Sequence, residues 1–162
     1  MKLNIPQPYE PRPLTFPDDF VIVIDTREQK PLFKNVKGLV TITQKVTYGD
    51  YTIQGFEDNF GIERKRIGDF YAYIARERER TIKKLAELST LDFAALVIES
   101  DYDDIIQHQL FTRVHPAVAE GFLTSVNVRY DIHTFFHKDR RVIERWILKR
   151  AIKFYDIKRG MA

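Results

Sequence analysis

Residues 49–70 read GDYTIQGFEDNFGIERKRIGDF, and the fold turns on how that stretch is parsed. It opens on a Gly49-Asp50 turn, passes through a short extended piece over 51–53 and a turn over 55–59, and continues as a strand over 60–65. Successive side chains of a strand point to opposite faces, so Glu63 and Lys65 share one face while Ile62 and Arg64 share the other. A carboxylate and an ammonium are thereby held side by side at a strand end, with Asp50 brought in from the neighbouring strand. Two acids and a lysine converging on one face suit a hard divalent cation beside a phosphate that is to be cut.

Working outward, residues 20–26 (FVIVIDT) form an apolar, β-branched run with polar residues at its end. They read as a first strand buried on both faces. Such strands deliver functional side chains at their carboxyl ends, where Asp25, Arg27 and Glu28 stand. Taken alone, Asp25 would cap a turn and pair with Arg27; beside Asp50 and Glu63 it becomes a third acid for the cation. Residues 39–46 alternate and read as a second strand, 51–53 as a third and 60–65 as a fourth, with short links that predict antiparallel pairing among them.

A helix is expected from Gly68 to about Leu88, with Asp69 near its N-terminus as a capping carboxylate. Glu77 and Arg78 intrude on its apolar face, so that turn either carries an internal pair or lies over the cleft, where Arg78 would meet a phosphate. Residues 93–98 (FAALVI) make a further buried strand with an acidic exit. A helix begins at His115-Pro116, in which Gly121 is expected to pack closely on the sheet. Residues 130–136 read as a last strand, and a long helix follows from His137. The fold class is therefore α/β: a single domain with a mixed central β-sheet flanked by helices.

In the terminal helix Ile143, Trp146, Ile147, Ala151 and Phe154 share one face, and Arg141, Arg145, Lys149 and Lys153 run along another. Basic residues outnumber acidic ones over 138–159, making this the strongest local candidate for contacting a nucleic-acid backbone. The whole chain of 162 residues carries a net charge of only +3 with a sequence pI near 9.0. It holds no cysteine, which excludes disulfides and thiolate zinc sites, and its four histidines show no ligand spacing. No stretch approaches the length of a membrane span and no charged-then-apolar leader opens the chain, so no membrane role and an intracellular location are expected. Residues 1–19 carry five prolines and read as an extended arm laid over a domain that occupies 20–162.

Gly49-Asp50, then Glu63-Arg64-Lys65, three residues, and Asp69 together resemble the signature of the XPF-type structure-selective endonuclease domain. Ile24-Asp25-Thr26-Arg27-Glu28 looks like that family's first strand and its acidic exit. The likeness spans roughly 20–100 well and the remainder only in its order of elements. It implies a restriction-endonuclease-like fold and a DNA endonuclease serving DNA repair or recombination, in the nucleoid, the nucleus or a host cytoplasm. One or two Mg²⁺ or Mn²⁺ ions would be held by Asp50, Glu63 and Asp25, with Lys65 orienting water or stabilising the charged transition state. Arg64 joins this catalytic set by resemblance, while its place on the opposite strand face suggests a structural pairing, for example with Asp69.

The substrates the family implies are branched or flap-bearing DNA duplexes. No segment resembling paired helix-hairpin-helix modules follows, so a second copy or a partner subunit would supply that grip on DNA. Two other readings stay open: a catalytically silent DNA-binding scaffold, which the presence of Asp50, Glu63 and Lys65 opposes, and a junction resolvase or exonuclease of the same fold.

Overall fold

The computed structural model describes residues 10–160. Six strands form one sheet: β1 (Val21–Asp25), β2 (Val40–Gln44), β3 (Tyr51–Ile53), β4 (Phe60–Arg66), β5 (Phe93–Glu99) and β6 (His133–Phe136). Five helices accompany them: α1 (Ile67–Ile74), α2 (Arg78–Leu88), α3 (Tyr102–Ile105), α4 (Pro116–Val128) and α5 (Arg140–Lys158). The expected mixed sheet flanked by helices is the fold found, in the order β2-β1-β3-β4-β5-β6.

The pairing of the early strands departs from expectation. β3 and β4 are antiparallel, but β2 does not pair with β3; it lies parallel to β1 at the sheet edge, and β3 runs antiparallel to β1 on the other side. The cause is local to the end of β1. There the Val46 amide donates to the Asp25 carboxylate at 2.8 Å, and the Asp25 amide donates to the Asp50 carbonyl at 2.9 Å. The chain leaving β2 is thus led across the carboxyl end of β1 before it enters β3. β2 is left largely exposed, as an edge strand with threonines can be.

Alternation along β4 sorts the two layers of the core. Phe60 and Ile62 join Ile22, Ile24, Tyr51 and Val97 against Ile143, Ile147, Ala151 and Tyr155 of α5, an i, i+4 stripe. On the other face Leu96 and Ile98 pack with Phe70 and Ile74 of α1, Leu85 and Leu88 of α2, and Leu123 and Val126 of α4. Leu14 and Phe16 of the N-terminal arm rest on the first layer, Phe16 stacking on Phe20 at 5.9 Å. The first nine residues of the arm lie outside the described residues.

The single helix expected over 68–88 is broken in two. Ala75 and Glu77 leave helical geometry, and the Thr81 hydroxyl satisfies the freed Tyr73 carbonyl at 2.6 Å. Residues 75–80 hold no apolar anchor, and a continuous helix would press Glu77 and Arg78 toward the core. The break releases both. Gly121 has open space beside it and is no close-packing point. β6 and α5 each begin about three residues later than the sequence pattern suggests; α5 does so because Asp139 caps it, accepting from the Arg141 amide at 2.9 Å.

Gly49 holds the turn that presents Asp50. Its φ is +80°, and a Cβ there would lie 2.6 Å from the Ile62 carbonyl oxygen. Gly49→Ala is expected to destabilise the protein by about 2–4 kcal/mol, combining left-handed strain with a backbone clash. Equilibrium urea unfolding checks this; a midpoint unchanged from wild type would show that the turn is not under this constraint.

Candidate active site

Glu63 sits on β4 with its side chain fully buried, which demands compensation for its charge. Two lysines supply it. Lys65 Nζ lies 2.6 Å from Glu63 Oε1, as strand alternation predicts, and Lys84 Nζ reaches the same carboxylate from α2 at 2.8 Å. Burial works against the Lys65 charge, but the pull of Glu63, with Asp50 and Asp69 behind it, holds the ammonium above its usual range. Lys65 also lies over the Tyr73 ring, 4.8 Å from its centre.

Asp50 enters from the β3 turn. Its amide donates to the Ile62 carbonyl at 2.7 Å, and its Oδ2 accepts the Arg64 amide at 2.8 Å, so the turn is clamped to β4 from both sides. Burial, and next the negative charge of Glu63, push Asp50 up to about 7. Two carboxylates are thus held together where the charge of Glu63 disfavours that of Asp50. Glu63 Oε2 is buried without a well-aligned hydrogen bond, although Lys84 lies beside it, and the Tyr73 hydroxyl nearby is also unpartnered. An all-oxygen pair with an under-satisfied acceptor fits a hard cation such as Mg²⁺ or Mn²⁺.

The expected three-acid grouping does not form; among the described residues no group of three acids or histidines converges. Asp25 is engaged elsewhere. Its carboxylate accepts from the Arg27 amide at 2.8 Å, Arg27 Nε at 2.8 Å, Arg27 Nη2 at 3.0 Å and the Val46 amide. The hydrogen bond from the Arg27 side chain holds it down near 2. This is the pairing with Arg27 that the sequence offers as the alternative to a ligand role.

Arg64 points through the opposite face of β4, as expected, but its partner is not Asp69. Arg64 Nε donates to Glu28 at 2.9 Å, Nη1 to Glu99 at 2.6 Å and Nη2 to the Gln29 carbonyl at 3.0 Å. Glu28 also accepts from the Tyr51 hydroxyl, and Arg140 of α5 donates to Glu99 at 3.0 Å. Arg64 therefore fastens β4 to the β1–β2 connection and to the end of β5. Asp69 is exposed in the first turn of α1 and makes no side-chain cap bond; Arg66 holds the cap position.

The basic residues divide differently from the sequence reading. Arg78 turns toward α4 and lines a groove with Ile82, Leu85 and Phe122. Lys84, which the sequence reading passed over, is the helix residue that reaches the acids. It shares a pocket of about 240 Å³ with Arg27, Arg80 and Lys83, in which Glu87 is the only acid. The signal for it is its place one turn from the buried Thr81 and Leu88 on the same side of the helix. Arg145, Lys149 and Lys153 line a cavity with Arg12 and Leu14 of the arm, on the α5 side of the sheet and across it from Glu63. Arg141 pairs with Asp139.

The mixed six-stranded sheet flanked by helices is the α/β arrangement of the XPF nuclease fold. The chain belongs to the ERCC4 domain family, whose model matches residues 24–149. It is similar to XPF from Aeropyrum pernix, with a TM-score of 0.65 and 17% identity over 81% of this chain and 59% of that one. It is also similar to XPF from Aeropyrum pernix in complex with DNA, with a TM-score of 0.63 and 15% identity over 85% and 66% of the two chains. The chain thus spans less than two thirds of the solved structures it matches. No curated protein matches the sequence significantly. Among the described residues no helix is long and apolar enough to cross a membrane.

Arg64→Met would leave Glu28 and Glu99 without their shared cation in a largely buried setting. It is expected to cost about 3–5 kcal/mol, read from urea unfolding. Asp25 generates an acid-side prediction. Its folded value near 2 lies below the ordinary 3.8, so its contribution of about 2 kcal/mol is present above the ordinary value and is lost as pH falls through about 2. Asp25→Asn should therefore lower stability at pH 6 and flatten its decline between pH 4 and 2, as followed by thermal unfolding.

Proposed function

We propose that this protein is a DNA endonuclease that hydrolyses phosphodiester bonds with the help of Mg²⁺ or Mn²⁺, preferring branched or flap-bearing duplexes. The observation that carries the reading is the buried Glu63 carboxylate, gripped by Lys65 and Lys84 with Asp50 beside it. Membership of the ERCC4 domain family and a similar fold solved in complex with DNA support it. Asp50 and Glu63 are the residues that would hold the cation. Asp25 serves that centre by pinning Arg27 and the crossing into β3, and it would reach the cation directly only by releasing Arg27. When bound, the cation supplies a water made acidic enough to attack near neutral pH, and charge to offset that gathering on the phosphoryl oxygens.

The protein's own residues do the rest. Lys65 keeps its proton through its contact with Glu63 and presents an ammonium to the phosphoryl group as negative charge develops there. Arg27, Arg80, Lys83 and Lys84 form the positive wall against which the cleaved strand's phosphates would lie. Arg64 acts from behind: by fixing β4 to its neighbours it holds Glu63 and Lys65 in register, and its amide positions Asp50. The basic stripe of α5, Arg145, Lys149 and Lys153, lies behind the sheet and would serve a more distant duplex segment.

Asp50→Asn and Glu63→Gln should each lower cleavage of labelled flap DNA by at least 100-fold, an on-the-order-of estimate for loss of metal-held chemistry. Binding to the same DNA should change little, and chelation of divalent ions should abolish cleavage by wild type. Cleavage that survives both substitutions would overturn the assignment of the site. Binding without cleavage by wild type in Mg²⁺ and Mn²⁺ would instead mark a scaffold. Product ends on blocked and unblocked linear substrates separate an endonuclease from an exonuclease.

A further inference from the structure

We propose that residues 107–114, with the cavity beneath them, form a subsite for an unpaired nucleotide of the substrate, the base stacking on Phe111 and Leu110 and the phosphate lying between Arg76 and Arg113. The inference rests on the nuclease reading and specifies which part of a branched DNA the protein recognises. Leu110 is fully bare, at 107% relative exposure, and Phe111 is 56% exposed beside it. Two adjacent apolar side chains thus stand in water at the tip of one connection.

The connection is nonetheless firmly held. The Tyr71 hydroxyl donates to the carbonyls of Ile105 and Gln107, and Gln109 Nε2 donates to the carbonyls of Asp104 and Gln107 at 2.6 and 2.9 Å. The Phe111 ring lies at right angles to Tyr71, 5.8 Å away between centres, and stays more than half exposed, and His115 closes the segment by capping α4. The stem of the connection is therefore fixed, which lowers the ordering cost of a ligand that stacks on its tip.

The surroundings select the ligand. The adjoining cavity of about 600 Å³ is lined by Tyr71, Phe111, Arg76 and Arg113 among others, with no acid in its wall. An aromatic face beside two guanidinium groups is the combination that binds single-stranded nucleic acid: the bases stack and the phosphates are neutralised. A base inside a duplex has both faces covered, so only an unpaired or terminal base can use Phe111. The placement also suits the reaction. Gly68, in the turn of α1 that directly follows β4, lines the same cavity, so a strand leaving the Lys65 end of β4 would run onto the platform.

The test uses the full chain in EDTA, so that no strand is cut. Anisotropy titrations compare a blunt duplex with the same duplex carrying a single-stranded tail, with 2-aminopurine at the first unpaired position. Wild type is expected to bind the tailed duplex more tightly and to change the 2-aminopurine emission. The double substitution L110A/F111A, at exposed positions, should weaken binding to the tailed duplex about tenfold and leave the blunt duplex unaffected. Phe111→Trp should retain the preference, because it keeps an aromatic face. The subsite is overturned if L110A/F111A weakens both duplexes equally or leaves the tailed affinity and the emission unchanged. If that happens while wild type still cuts DNA in Mg²⁺, only the subsite falls. If wild type takes up neither duplex, the nuclease reading falls and the subsite with it.

Discussion

Placing the Glu63 carboxylate in the interior of a sheet is the constraint from which the rest of this structure follows. A buried charge on a central strand is tolerable only when opposite charge is delivered to it with good geometry. Lys65 can do so because it is two residues along the same strand. Lys84 can do so only because the 67–88 segment breaks after Ile74, letting α2 lay its flank over the strand end. The break in the helix and the charge compensation are thus one feature. The apolar edge of α2, Leu85 and Leu88, provides the packing that keeps Lys84 in place.

β4 is a two-faced device. Its front carries Glu63 and Lys65 toward the cleft, while its back carries Arg64 into a nest of Glu28, Glu99 and the Gln29 carbonyl. A neutral side chain at 64 would leave the front unsupported, since the β1–β2 connection, the end of β5 and α5 through Arg140 all converge on the back. The two faces also communicate through the main chain: the Arg64 amide holds the Asp50 carboxylate, so the residue that anchors the back positions an acid at the front.

What the sequence makes legible, and what it hides, divides along the range of the interaction. Glu63 and Lys65 on one face and Arg64 on the other follow from the two-residue period of a strand, which no tertiary contact can alter. Asp50 is legible for a similar reason, because a Gly-Asp turn joined by a short link must return beside β4. The position of β2 was hidden. Nothing within 39–46 reveals that Asp25, far back in the chain, will catch the Val46 amide and direct the chain across β1. Lys84 was hidden likewise, because the RERER run before it offers three arginines, of which only Arg80 lines the Lys84 pocket. The α5 stripe is legible as a helix face, and its place behind the sheet follows from the alternation of β4, which separates the α5 layer from Glu63.

The same division explains where this domain can vary without losing its chemistry. The back of the sheet is bound by a shared cation among several acids, an arrangement in which removing one member strands the others. The front is held more loosely. Lys84 is a third exposed, and its ammonium donates to Glu63 Oε1 at 2.8 Å while Glu63 Oε2 is left without a well-aligned bond. Glu63 Oε2 is thereby open to a more highly charged partner, whereas the carboxylates around Arg64 are already paired. Rigidity is therefore concentrated one strand-width behind the chemistry, and the exchangeable cation is concentrated in front of it. That asymmetry lets a sheet hold its acids in register while leaving them open to a metal ion and a phosphate backbone.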